Sequence, residues 1–360
     1  MEKLKYLFKT IIYILIINIF LIVFMEGLFS IVIVLNKVLS PIYVLPIGTS
    51  TKYDSLLGWI NSPNYEAKNF FGPGICLKTN SQSFRNSYNF SVEVPKNRIR
   101  IVCSGGILTF GYGVDNEHTW CRKLESLDKR FETVNAGGEE YSIGQSYLWY
   151  MRDVRKLEHK IQILALTTES IEYAGLAERG NYDTPLLKLV NSVITVTNSP
   201  IPNHELLFQK LEDYLERVNQ LRLYEIFQRA LNKIPPTNKK NKNDQNCNKL
   251  NEANRLVLRI IEDLQEVNNK KGSTLVVVYL PKYGDCDYRL KTNEERKWLN
   301  TELAKRGILF IDLYNEFLKL SLPEVVSLFS KWNTYYSEKG NEYIARTIYK
   351  KLRSFHKLFD

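Results

Sequence analysis

The pattern most open to chemistry is Ile99–Trp120, IRIVCSGGILTFGYGVDNEHTW. A β-branched apolar run meets a Gly-Gly pair and then the approach to a helix. In α/β proteins such a turn carries a nucleophile or cradles a phosphate, because it lifts one residue above the sheet edge. The residue lifted here is Ile107, which has no lone pair to attack with. The nearest hydroxyl on the strand is Ser104. It reads as a small residue in a buried strand, and it is the fallback nucleophile if the turn exposes it. A hydroxyl nucleophile needs a base, and imidazoles are scarce. The four histidines are His118, His159, His204 and His356, with none between Glu205 and Phe355. His118, in DNEHTW, reads as part of a surface turn in which Asp115 and Glu117 cap a helix. The cysteines are Cys76, Cys103, Cys121, Cys247 and Cys286. They form no CxxC pair, have no histidine at zinc spacing, and are odd in number. Neither a metal site, a cofactor nor a disulfide framework is expected from them.

These residues need a scaffold. Five apolar runs read as strands: 98–104, 131–137, 160–168, 273–281 and 307–317. Amphipathic stretches between them read as helices, among them 251–269, 294–306 and 337–355. Continuous apolar strands alternating with helices imply a parallel sheet covered on both faces. Ligands of such sheets sit beyond the carboxyl ends of the strands. The first strand presents Gly105, Gly106 and Ile107 there, and the second presents Asn135, Ala136 and Gly137. The third presents Thr168, Glu169 and Ser170, and the carboxy-terminal block presents Trp332 to Tyr336.

The chain has 360 residues, 44% hydrophobic and 12% aromatic, enough for a sizeable core. Its net charge of +10 comes from lysines spread along the chain rather than gathered in a stripe with aromatics, so nucleic acid is not an expected partner. Residues 11–35 form an apolar run of about 25 residues, roughly 37 Å as a helix, which is long enough to cross a bilayer. Lys3, Lys5 and Lys9 precede it and favour a cytoplasmic amino terminus, with the bulk of the chain extracytoplasmic. Glu26 interrupts the run and reads as lying near the far interface. The expected organisation is a cytoplasmic segment 1–10, an anchor 11–35, a linker 36–64 with three prolines, and one domain over 65–360. A helical insertion over about 175–250 interrupts that domain, and its Lys/Asn-rich part, 232–251, reads as a loop.

Several blocks, in order, resemble the SGNH or GDSL hydrolases, in particular their membrane-anchored branch. They are LKTNSQSFRNS, GGILTFGYGV, VDNEHTW, VNAGGEEYSIGQ, LVVVYLPKYGD, GILFIDL and YYSEKGNEYIARTIYKKL. The resemblance spans about Lys78 to Leu352, apart from the insertion. It implies a three-layer α/β/α sandwich with a parallel, flavodoxin-like sheet. It also implies where the catalytic groups of an ester hydrolase fall in this chain. The nucleophilic serine falls on Ile107 and the acidic residue before it on Gly106. The oxyanion glycine falls on Gly137, and the asparagine donor falls near Glu169. The histidine falls on Tyr335, and its aspartate on Asn333 or Trp332. The triad positions Ile107, Asn333 and Tyr335 are therefore degenerate, while Gly105, Gly106, Gly137 and Glu169 remain as the cleft. No aspartate lies between Leu313 and Phe359, so no change of register restores the acid–base pair.

The expectation is a membrane-anchored pseudoenzyme of hydrolase fold that binds a glycan, an acyl group or a protein in its former cleft. Two alternatives stand beside it. One is an active ester hydrolase or O-acyltransferase acting on cell-envelope or exopolysaccharide acyl groups with non-standard residues. The other is a structural membrane assembly protein.

Overall fold

The computed structural model describes residues 2–39, 50–176, 178–179, 182–201, 239–286, 294–330, 335–355 and 358–359. The chain divides into two compact units, Met1–Val44 with His204–Cys247, and Leu45–Asn203 with Asn248–Asp360.

In the first unit, helix α1 (Glu2–Leu39) is a single uninterrupted helix. Its segment Lys5–Leu28 has a mean hydropathy of 2.6 and is long and apolar enough to cross a membrane. A signal sequence near an amino terminus meets the same description. The apolar segment starts and ends earlier than the expected 11–35, which leaves Glu26 near its far end. The insertion helices expected within 204–231 lie outside the described residues.

The second unit is built on five parallel strands: β3 (Ile99–Gly105), β4 (Phe131–Gly137), β5 (Ile161–Leu166), β8 (Thr274–Tyr279) and β9 (Leu309–Asp312). Their order is β9-β8-β5-β3-β4. The architecture is the α/β sandwich expected from continuous apolar strands. One face of the sheet carries Ile101, Cys103, Ile163, Val276 and Val278. It packs on α3 (Trp120–Ser126) and, after α7 (Glu294–Lys305), on the closing helix α8 (Glu338–Ser354), through Trp120, Leu124, Ile344, Ile348 and Leu352. The opposite face faces α4 (Ile143–Arg152) and residues 248–270 of α6 (Lys239–Lys270). There Asn268 Nδ2 donates to Gln162 Oε1 at 2.6 Å and Tyr150 Oη donates to Asn268 Oδ1 at 3.3 Å. Val257, Ile260, Ile261 and Leu264 of α6 are fully buried at helical spacing, which is what orders that helix.

Two expectations need correction. The interval 36–64 is not linker throughout. Thr51–Asp54 (β1) and Gly58–Asn61 (β2) form an antiparallel hairpin with Leu57, Trp59 and Ile60 buried. The hairpin is tied into the domain: Trp59 Nε1 donates to Glu139 O at 2.9 Å and Gln145 Nε2 to Leu57 O at 2.9 Å. The Lys/Asn-rich stretch is not a loop from Lys239 onward, because α6 begins there. Over 239–251 the lysines favour a helix while the five asparagines do not, and a helix already nucleated by the apolar stripe further on extends backward through them without a new nucleation cost. A second hairpin, β6 (Leu187–Val190) with β7 (Val193–Val196), follows the sheet's central strand in sequence.

Candidate functional site

Strand β3 is followed in sequence by β4 on one side, whereas β5, β8 and β9 lie on the other. The strand order therefore reverses between β3 and β5, and in open α/β sheets the crevice at such a reversal is where ligands bind. At that edge β3 runs through Gly105 and Gly106 into the single-turn helix α2 (Ile107–Phe110), which Gly111 closes at a φ of 87°. Close approach requires the two glycines. A Cβ on Gly105 would lie 2.7 Å from Ala165 O, and one on Gly106 2.7 Å from Tyr141 O. The turn thus has the tight form of a nucleophile-bearing elbow. Ile107, its first helical residue, is half-buried and packs against the apolar core instead of presenting a reactive group.

Gly137 sits opposite Gly105 in the β3–β4 pairing. A Cβ there would lie 2.6 Å from the carbonyl carbon of Thr109, so only glycine lets α2 settle on β4. Its backbone groups are engaged inside the fold. The amide donates to Asn135 Oδ1 at 3.0 Å, and the carbonyl accepts from Asn61 Nδ2 at 3.2 Å. An oxyanion donor must point at the place where charge develops. This amide points at its own neighbour's side chain.

Glu169 lies in the short helix α5 (Thr168–Glu172) after β5, and it pairs with Lys282, which follows β8. The lysine offsets the negative charge of the carboxylate at this edge. Beside the pair, Tyr279 Oη donates to Asp285 Oδ2 at 3.0 Å and meets Thr168 Oγ1 at 2.6 Å. Burial raises the Asp285 carboxyl above its ordinary pKa, and the hydrogen bonds from Lys282 N and Tyr279 pull it back. Ser170 is engaged in capping α5: its Oγ donates to Thr167 O at 2.8 Å and accepts from Thr167 N at 2.8 Å.

Ser104 is 1% exposed and faces Gln162, whose Nε2 lies 3.5 Å from its Oγ. The turn does not expose it. Tyr335 does not line the cavity at the elbow; its ring lies 4.6 Å from that of Tyr112, which in turn packs on Phe71 at 4.5 Å. Asn333 and Trp332 lie outside the described residues, as do His204 and His356. His118 is held between Asp115 at 3.0 Å and Glu338 at 3.4 Å on the surface. His159 is buried against Leu157 O and Asn268, and desolvation lowers its pKa. Neither imidazole reaches the elbow's hydroxyl groups.

Two residues central to this edge escaped the sequence reading. Arg85, from SFRNS, is 2% exposed. It donates to Phe110 O at 2.7 Å and Gly111 O at 2.6 Å, to Val114 O, and to Asn116 Oδ1 at 3.2 Å. Its guanidinium lies over the Phe110 ring at 4.7 Å. Burial lowers its pKa to about 9, and it holds the carbonyl end of α2 in place. Glu139, two residues beyond Gly137, is 3% exposed, and its Oε1 has no hydrogen-bond partner among the described residues. Burial raises its pKa to about 7, against the opposing pull of Ser50 and of the Arg85 charge. The Ser50 hydroxyl is nearby but outside bonding geometry, since Ser50 Oγ is also unpartnered. An arginine in a block of polar residues and a glutamate after Gly-Gly are sequence signals, but only packing distinguishes them from surface charges.

The space left at the elbow is a cavity of about 20 Å³, lined by Ile107, Tyr141, Thr167, Glu169, Leu280 and Lys282 among others. That is room for about one water molecule. The sheet's strand order, with the reversal between β3 and β5, is the flavodoxin-like one that the SGNH/GDSL resemblance implies. Neither a family model nor a curated protein matches the sequence. Solved structures similar to it include a member of the lipolytic protein G-D-S-L family from Veillonella parvula, with 12% identity, 70% of this chain and 97% of that one covered, and a TM-score of 0.41. A lipase/acylhydrolase from Enterococcus faecalis has 12% identity, coverage of 71% and 96%, and a TM-score of 0.38. An acetyl xylan esterase has 11% identity, coverage of 70% and 98%, and a TM-score of 0.39.

Proposed function

We propose that this chain is a membrane-anchored, extracytoplasmic pseudohydrolase, which acts by binding rather than by ester cleavage. The observation that carries the reading is the closed elbow. Ile107 occupies its tip, the Gly137 amide is engaged by Asn135, and about 20 Å³ remains beside them. Acyl transfer needs a nucleophile, a base and a free oxyanion donor around one substrate carbonyl. Pockets that hold small molecules run to several hundred Å³, roughly 300 or more. The cavity therefore favours a ligand that contacts the rim, a glycan, an acylated surface or a protein of the cell envelope, over one that enters the cleft. Lys3, Lys5 and Lys9 before the apolar segment of α1 support a cytoplasmic amino terminus with the domain on the far side.

The test is hydrolysis of short-chain aryl esters by the full chain in detergent, beside a heat-denatured control. The expected rate equals the control's. Turnover that disappears on heating and falls in Tyr335→Phe or Ser170→Ala would overturn the proposal and restore an enzyme with non-standard residues.

A further inference from the structure

The one amide in the apolar segment of α1 is Asn18. The segment Lys5–Leu28 has 24 residues, so Asn18 lies within about one helical turn of its midpoint. Its Nδ2 donates to Ile14 O at 2.7 Å. That accounts for one N–H. The second N–H and the Oδ1 have no partner among the described residues, and the side chain is exposed on the helix surface. In hydrocarbon no water is present to satisfy them, so the amide gains by finding a partner inside the bilayer.

Ile11, Leu15, Ile22 and Met25 recur around Asn18 at alternating spacings of four and three residues. This is the spacing of a seam between two helices wound around each other. Ile11, Leu15, Ile22 and Met25 are 46%, 56%, 59% and 36% exposed, so the seam is open along its length.

Resting on the membrane-spanning reading above, we propose that α1 pairs with α1 of a second copy of this chain through Asn18. A carboxamide is both donor and acceptor, so it is complementary to itself. Copies inserted by the same positively charged flank point the same way. A two-fold axis along the membrane normal then sets each Asn18 at the same depth as its counterpart. One N–H of each amide reaches the Oδ1 of the other, and Ile11, Leu15, Ile22 and Met25 pack above and below. A single polar residue in an apolar seam also fixes the register, because any shift leaves the amides unsatisfied.

Two differently tagged full-length copies are co-expressed, and both membrane retention and co-purification are measured. Alkaline carbonate washing tests the anchor alone: wild type, Asn18→Leu and Asn18→Gln are all expected to stay with the membrane. Extraction of the wild type would overturn the anchor, and the pairing with it. With all three retained, Asn18→Leu is expected to weaken self-association about tenfold, and Asn18→Gln, which keeps the amide, to preserve it. A retained but monomeric wild type, or a Leu variant that associates as strongly as wild type, would overturn the pairing and leave the anchor standing.

Discussion

Replacing Glu139 with glutamine isolates the most exposed consequence of this packing. Glu139 is 3% exposed, its Oε1 has no hydrogen-bond partner among the described residues, and the cation that acts on it, Arg85, is engaged by backbone carbonyls. Burial raises its pKa from 4.5 to about 7. Between those two values the unfolded chain has lost the proton while the folded chain keeps it. Folding stability must therefore fall as pH rises from about 4.5 to about 7, and stay at the lower level above that. Each tenfold difference in proton affinity is about 1.4 kcal/mol, so the cumulative loss is on the order of 3 kcal/mol. Glutamine fills the same space and cannot ionise. Glu139→Gln is therefore expected to be more stable than wild type by up to about 3 kcal/mol at pH 8, and about equal to it at pH 4. Urea unfolding of the detergent-solubilised chain, followed by tryptophan fluorescence, measures this. Trp59 is a local reporter, since its Nε1 bonds to Glu139 O. Other carboxylates titrate over the same range, and the difference between the two proteins cancels them. A variant no more stable than wild type at pH 8, or a gap that widens toward pH 4, would refute the buried-carboxylate argument.

Arg85→Met should destabilise the fold by about 3 kcal/mol or more, because Phe110 O, Gly111 O and Val114 O lose a buried donor together; the urea midpoint reads this. Gly340→Ala should cost about 3 kcal/mol, since the added Cβ would lie 2.9 Å from the Leu328 carbonyl carbon and push the start of α8 off its seat; a thermal melt checks it.

The five parallel strands were legible because each is buried on both faces, which leaves an unbroken apolar run in the sequence, as in IQILAL and TLVVVY. The closing helix was legible for the matching reason: Ile344, Ala345, Ile348 and Leu352 form a buried stripe at helical spacing. The β1–β2 hairpin was not. Its strands have four residues each, too few to show a period, and the prolines around them suggest a connection. What orders it is a set of bonds from Glu139, Gln145 and Tyr141, more than 80 residues away in sequence for Gln145 and Tyr141. Arg85 was illegible for a similar reason. A guanidinium clamped on three carbonyls has the same letter as one in solvent.

The sequence by itself determined which residue types are available. Isoleucine follows the Gly-Gly pair at Ile107, no histidine lies between Glu205 and Phe355, and no aspartate lies between Leu313 and Phe359; these are properties of residue type and survive any packing. Only the tertiary structure decided what surrounds the turn. The Gly137 amide bonded to Asn135, the Lys282 ammonium on Glu169, and a cavity of about 20 Å³ each depend on how separate strands meet at one edge. Residue types say which groups are available. Whether an amide is free, a charge paired or a cleft filled is set by contacts between segments far apart in the chain.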